Sequence, residues 1–272
     1  MPELPEVERA VRALRARIEH QVIDRVRLLH PALRRRTSQP TLRKLHGARV
    51  ARVERRGKHQ LIHLDDGRVV HVHFRMNGDW IFDRSSDPLP RFARATLAFT
   101  NGTRVVLEDS RALSTVDVHP AETPLGLDLG PEPHDPVLTA ERLRATLSGR
   151  RVAIKVALLD QRTVAGLGNI YASEALWRAK IDPRAVAGTL SLATVRTLLL
   201  GIRAVIARAT GGRYTDAENA RLDVYDREGQ RCRRCDGTIT RIVQAGRSTY
   251  FCPRCQRTGR PRVNRAPRGA RS

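Results

Sequence analysis

Lysine is nearly absent from this chain of 272 residues: only Lys44, Lys58, Lys155 and Lys180 occur, and the rest of its 50 Lys+Arg are arginine. Acids are also few, so 28 Asp+Glu leave a formal charge of +22 and a pI near 11.4. No apolar run approaches the ~18 residues that would cross a bilayer, and no lipidation signal is present, which sets a membrane role aside. The opening Met1-Pro2-Glu3-Leu4-Pro5-Glu6 places acids where a secretory signal needs a basic start and an apolar stretch. Four cysteines in two close pairs do not make a secreted disulfide framework. No internal repeat is visible. These absences point to the cytoplasm.

What is present is a folding sequence. Hydrophobic residues make up 40%, enough for a core and against wholesale disorder. The positive charge therefore sits on a folded surface and calls for a polyanion, nucleic acid first, because guanidinium forks match phosphate oxygens.

The patterning divides the chain. Val7, Ala10, Val11, Leu14 and Ile18 have helical spacing within residues 5–19. From Val22 to Val118 short β-type runs follow, among them Val50–Val53, Gln60–Leu64, Val69–Phe74, Ala95–Thr100 and Val105–Leu107. Their spacing predicts an antiparallel sandwich or barrel. A Pro/Gly-rich linker at 120–136 precedes helical periods at Thr139–Leu147, Ile154–Leu159, Asn169–Lys180 and Leu190–Ala209, the last stopped by Gly211-Gly212. The expected fold class is multidomain α+β. A helix and β-sandwich domain spans 1–119, a helical domain 137–227, a cysteine ribbon 228–256, and a basic disordered tail 257–272.

Cys232-x-x-Cys235 and Cys252-x-x-Cys255, with sixteen residues between the pairs, fit one structural zinc ion held by four thiolates from two knuckles. The alternating segments between them predict a hairpin with Arg247 at its tip, where a rigid turn can present it to a DNA groove. Four protein thiolates leave no open position on the metal, so the zinc is structural.

Pro2 brings a different chemistry. Removal of Met1 would leave a secondary amine, and an α-amino group titrates near ~8. Such an amine can attack a sugar's anomeric carbon, displace a base and form an iminium. Glu3 is placed to protonate the opening ring oxygen, and Glu6 to orient the site. Alone, Pro-Glu reads as an ordinary processed terminus. Further on, Gly166-Leu167-Gly168-Asn169 opens a helix whose amides predict a phosphate seat, with Asn169 adding a side-chain donor. Tyr171 and Trp177 on that helix read as core.

Taken together these motifs resemble the formamidopyrimidine-DNA glycosylase and endonuclease VIII family. The resemblance rests on Pro2-Glu3-Leu4-Pro5-Glu6-Val7-Glu8, on Lys58 in Arg55-Arg56-Gly57-Lys58, and on His73-Phe74-Arg75-Met76-Asn77-Gly78. It continues through Leu158-Leu159-Asp160-Gln161, Ala165 to Glu174 and the four-cysteine ribbon, covering residues 2–256. It implies a helix–two-turn–helix domain and base-excision repair of damaged double-stranded DNA, by glycosylase action followed by β,δ-elimination. It also implies a catalytic Lys58 and DNA contacts by Lys155, Asn169 and Arg247. Met76, Arg111 and Leu113 would fill the gap left by a flipped nucleotide. A monomer without nucleotide cofactor, associated with the nucleoid, is expected.

Two departures stand out. In Asp109-Ser110-Arg111-Ala112-Leu113-Ser114 a leucine replaces the family's aromatic wedge; it can intercalate but stacks poorly. Between Gly211-Gly212 and Cys232 only Arg213–Arg231 remain, shorter than in members acting on 8-oxoguanine. A non-catalytic damaged-DNA or abasic-site binding paralogue is the alternative reading. A zinc-ribbon protein for structured RNA would explain the charge but not the Pro-Glu terminus.

Overall fold

The computed structural model describes residues 2–210 and 222–257. Met1, Gly211-Gly212, the acidic Asp216 and Glu218, and the tail from Thr258 lie outside the described residues. Helix α1 (Leu4–Ile18) carries Pro5 in its first turn and buries Val7, Val11, Leu14 and Ile18. Ten strands follow in three antiparallel sheets. These are β1 (Ile23–Leu28), β2 (Val50–Arg56), β3 (His59–Leu64), β4 (Val69–His73), β5 (Asp79–Arg84), β6 (Ala93–Phe99), β7 (Thr103–Glu108), β8 (Thr115–His119), β9 (Thr240–Gln244) and β10 (Arg247–Phe251).

Two four-stranded sheets, ordered β1-β6-β7-β5 and β2-β3-β4-β8, share one apolar core with α1. Each predicted β run lies within a strand or reaches one residue beyond it. The exposed edge of β1 is closed by a side chain: Gln39, in the short helix α2 (Gln39–Arg43), accepts from Leu28 N at 2.9 Å and donates to Val26 O at 2.7 Å. Such closure denies the edge to a foreign strand.

The second core is helical, built by α3 (Ala140–Leu147), α4 (Ile154–Leu159), α5 (Asn169–Arg178) and α6 (Leu192–Thr210). Thr139 caps α3, its hydroxyl accepting from Arg142 N at 3.1 Å. Leu4 of α1 belongs to this second core, so the first helix spans both bodies. The Pro/Gly-rich stretch carries no helix or strand, yet it is fastened: Gly130 N donates to Gln161 O at 2.9 Å and Ala165 N to Pro131 O at 3.0 Å. Hairpin β9–β10 turns through Ala245-Gly246, both at positive φ, and Tyr250 joins a third cluster with Cys232 and Cys252.

Candidate active site

Pro2 is buried and lines a ~170 Å³ cavity together with Glu6, Phe74, Gly78, Trp80 and Phe82. Beside it Glu3 is wholly buried, and its carboxylate sits on the N-terminus of α5. Oε2 accepts from Gly168 N at 2.8 Å and Tyr171 N at 3.3 Å, and Oε1 from Ile170 N at 2.8 Å. The helix start predicted to seat a phosphate is thus filled by the protein's own carboxylate, which the aligned amides attract for the same electrostatic reason. Gly168 permits the approach, since a Cβ there would lie 2.4 Å from the Glu3 carboxyl carbon. Burial pushes the Glu3 pKa up, against the Lys58 ammonium and the α5 amides that pull it down, and the net shift is upward. Glu6 ties the arrangement together: it accepts from Glu3 N at 2.8 Å and from the Tyr171 hydroxyl at 2.6 Å. Tyr171 is buried as expected, but its hydroxyl serves the site.

Lys58 follows a turn that needs glycine, with Gly57 at φ +59°. Gly57 N donates to Glu132 Oε1 at 2.6 Å, and Arg55 grips both Glu132 oxygens at 2.8 Å and Glu8 at 2.7 Å. The linker's Glu132 therefore helps set where Lys58 stands. Burial lowers the Lys58 pKa, Glu3 opposes that, and the net direction is down.

Met76 and Leu113 are exposed at 39% and 44% on two loops that are bolted together. Asp109, fully buried, accepts from the amides of Arg111, Leu113 and Ser114 and from the Ser114 hydroxyl. Burial would raise the Asp109 pKa, yet these hydrogen bonds hold it below the usual range. The single Ser114 hydroxyl proton lies between Asp109 and Phe74 O, 3.1 Å from Oγ, and Asn77 Nδ2 donates to Ser110 Oγ at 2.6 Å. Arg111 is exposed beside Leu113.

Lys155 does not face outward. It is 1% exposed, and its Nζ donates to Ser248 O at 2.8 Å and Thr249 Oγ1 at 2.6 Å. Asn169 Nδ2 donates to the same Ser248 carbonyl at 3.0 Å. Both side chains expected on DNA thus also donate to β10, next to Arg247, which stands exposed at the hairpin tip. Burial, with Arg247 adding to it and Glu3 opposing, brings the Lys155 pKa down to about 8.

The four cysteine sulfurs lie within 4.8 Å of one another, with separations such as 3.8 Å for Cys232–Cys255 and 3.6 Å for Cys235–Cys252. Zinc–sulfur bonds of ~2.3 Å in a tetrahedron need edges near ~3.8 Å, so the donor set fits one structural zinc ion.

The sequence matches the formamidopyrimidine-DNA glycosylase N-terminal domain over residues 1–116 and that enzyme's H2TH domain over 129–217. Residues 229–258 match the zinc finger found in FPG and IleRS. The formamidopyrimidine-DNA glycosylase of Paracoccus denitrificans is 43% identical over 280 residues, covering 94% of this chain and all of the relative. The chain belongs to the formamidopyrimidine-DNA glycosylase family. The Novosphingobium aromaticivorans member is 41% identical with the same coverage. The crystal structure of the Lactococcus lactis glycosylase, non-covalently bound to DNA containing an AP site, superposes with a TM-score of 0.88 at 31% identity, over 94% of this chain and all of that one.

Within this glycosylase framework, two carboxylates have roles that the sequence does not announce. One is Glu132. The other is Glu174, 1% exposed, whose carboxylate accepts from the amides of Asp223, Val224 and Tyr225 at 2.8–2.9 Å, where the chain enters the ribbon. Among the described residues no helix is long and apolar enough to cross a membrane.

Proposed function

We propose that this chain is a bifunctional DNA glycosylase and abasic-site lyase of base excision repair, removing oxidised or ring-opened bases from duplex DNA through an iminium at Pro2. The carrying observation is Glu3: a buried carboxyl with a raised pKa, adjacent in sequence to Pro2, fixed by α5 amides and faced by Lys58. Once Met1 is removed, the Pro2 nitrogen bonds to the anomeric carbon as the glycosidic bond breaks and the base departs. The departing base takes up the proton that the nitrogen gives up, Glu3 delivers its own to the ring oxygen as the sugar opens, and the iminium forms. Loss of a C2′ proton then expels the 3′ phosphate, a second elimination expels the 5′ phosphate, and water releases Pro2.

Met76, Arg111 and Leu113 support the opened duplex. Arg247 holds backbone phosphate, while Lys155 and Asn169 act on DNA through the hairpin they fix. The enzyme works as a monomer without nucleotide cofactor, in the cytoplasm at the nucleoid.

Borohydride reduction during incubation of Met-processed protein with abasic duplex tests this reading. A covalent adduct mapped to Pro2, and lost when Pro2→Gly carries a blocked amine, is the expected result. Folded, zinc-loaded, processed protein that binds the duplex yet traps no adduct would be a binding paralogue.

A further inference from the structure

Helix α5 carries the candidate site at one end and meets the zinc ribbon at the other. Near its C-terminus Trp177 is buried at 7%, in one cluster with Val224, Ile239 and Cys232. Its indole N–H donates to Cys232 Sγ at 3.4 Å. The face of the same ring carries the Arg234 guanidinium, 3.9 Å from the centroid, and Arg234 Nη1 donates to the Trp177 carbonyl at 2.7 Å. Edge, face and backbone of one residue are therefore all engaged by the ribbon.

A zinc ion with four thiolates carries two net negative charges in a half-buried place, and N–H donors to sulfur spread that charge. The knuckles supply some from within, Arg234 N to Cys232 and Gly237 N to Cys235, each at 3.4 Å. Among the described residues Trp177 is the one donor to a cysteine sulfur from outside the ribbon. Outer hydrogen bonds of this kind orient a ligand and tune its donor strength.

We propose that Trp177 is a positioning residue of the zinc site. Its indole N–H holds the Cys232 thiolate, so zinc affinity and docking of the ribbon on α5 are coupled. The coupling is reciprocal: whatever docking adds to zinc affinity, zinc adds to docking. Because α5 also seats Glu3, the metal helps hold one rod that reaches the reacting carboxyl.

Trp177→Phe keeps most of the apolar body and deletes the donor. Its zinc affinity, measured by competition with a chromophoric chelator, is expected to fall about tenfold. In cobalt-substituted protein the sulfur-to-metal charge-transfer band should move to longer wavelength, because the sulfur lone pairs lose their N–H. Arg234→Met, which retains the indole donor, should leave that band in place. Unchanged affinity with an unmoved band in folded Trp177→Phe overturns the proposal, and so does an equal band shift in both variants. The wild-type protein gives a second measurement that needs no variant. Loaded with an NMR-active cadmium isotope, it should show scalar coupling between the Trp177 indole proton and the metal, and absence of that coupling also overturns the proposal.

Discussion

At the scale of single residues the site is a balance of charges that burial makes costly. Lys58 and Glu3 each pull the other toward its ionised form, and each is driven the opposite way by burial. Replacing Lys58 with Met removes the ammonium that lowers the Glu3 pKa. The alkaline limb of the glycosylase pH profile, set by Glu3 losing its proton, should then move to higher pH. Stability should change as well. A lysine depressed in the fold contributes stability only above its unfolded pKa of ~10.4 and costs it below. Lys58→Met should therefore be more stable at pH 7, by about 1 kcal/mol, with the gain fading toward pH ~10. Urea denaturation and kcat/KM against pH check both halves, and an unmoved alkaline limb would exclude Glu3 as the acid. The hairpin gives a second prediction. Arg247→Ala should lower the log–log salt slope of DNA binding by about 1. Asn169→Ala, which removes one donor to Ser248 O, should weaken binding in the Arg247 protein but hardly in Arg247→Ala. Additive losses in that cycle would mean that Asn169 contacts DNA on its own. Residue type told which side chains matter here more readily than where they point. Lys155 is legible through the family resemblance, but its acceptor, Ser248, lies 93 residues away. Glu132 and Glu174 bind backbone amides, and no side-chain pattern announces those.

Elements were legible where apolar period and punctuation agree. α1, α3 and α4 follow their helical spacing closely, and the cysteine pairs located the ribbon. β5 escaped notice because Asp79–Arg84 shows no clean alternation, its residues being mostly half-buried or exposed. The same region holds a feature that only pairing reveals. His59 on β3 lies opposite His73 on β4, His73 opposite Thr115, and His71 opposite Asp117 on β8. His59 Nδ1 and His71 Nε2 are 2.8 Å apart, and the His119 ring lies 5.6 Å from that of His71, tilted by 39°. Burial is the main cause that lowers His59 and His71 to about 4 and His73 to about 3. Lys58, Arg75 and Arg36 deepen the effect, while Asp117 opposes it at His71. A histidine depressed in the fold contributes stability above its unfolded pKa of ~6.5 and loses it as pH falls toward the folded value. Stability should therefore decline between pH ~6.5 and ~4, where the unfolded chain binds protons that this sheet face refuses. His71→Gln should reduce proton uptake on unfolding by up to one in that window. Urea denaturation at several pH values checks it, and an unchanged pH slope would show that the ring charges freely in the native sheet.

For the whole molecule the decisive quantity is the excess of arginine, and its placement is uneven. Arg257–Ser272 holds six arginines and no acid, whereas the residues proposed for chemistry all lie before Cys255. Positive charge bound to phosphate releases counterions, so the log of affinity falls against the log of salt with a slope of about 0.9 per phosphate neutralised. A segment that binds only through this effect adds affinity for any duplex and none for a lesion. Deleting residues 257–272 should therefore weaken binding to undamaged DNA and cut its salt slope, by up to about 5 if all six guanidinium groups find phosphates. Single-turnover cleavage of a saturating lesion duplex should stay nearly unchanged, since Glu3, Lys58 and the four cysteines are untouched. The two outcomes separate because nonspecific affinity governs how long the protein stays on DNA, and the buried site governs what it does at the damaged nucleotide. Salt titrations of the full and shortened chains on undamaged duplex, run beside single-turnover cleavage, make the comparison. Equal slopes would place the phosphate contacts wholly within the folded body, and a matching fall in cleavage would make the tail part of lesion engagement.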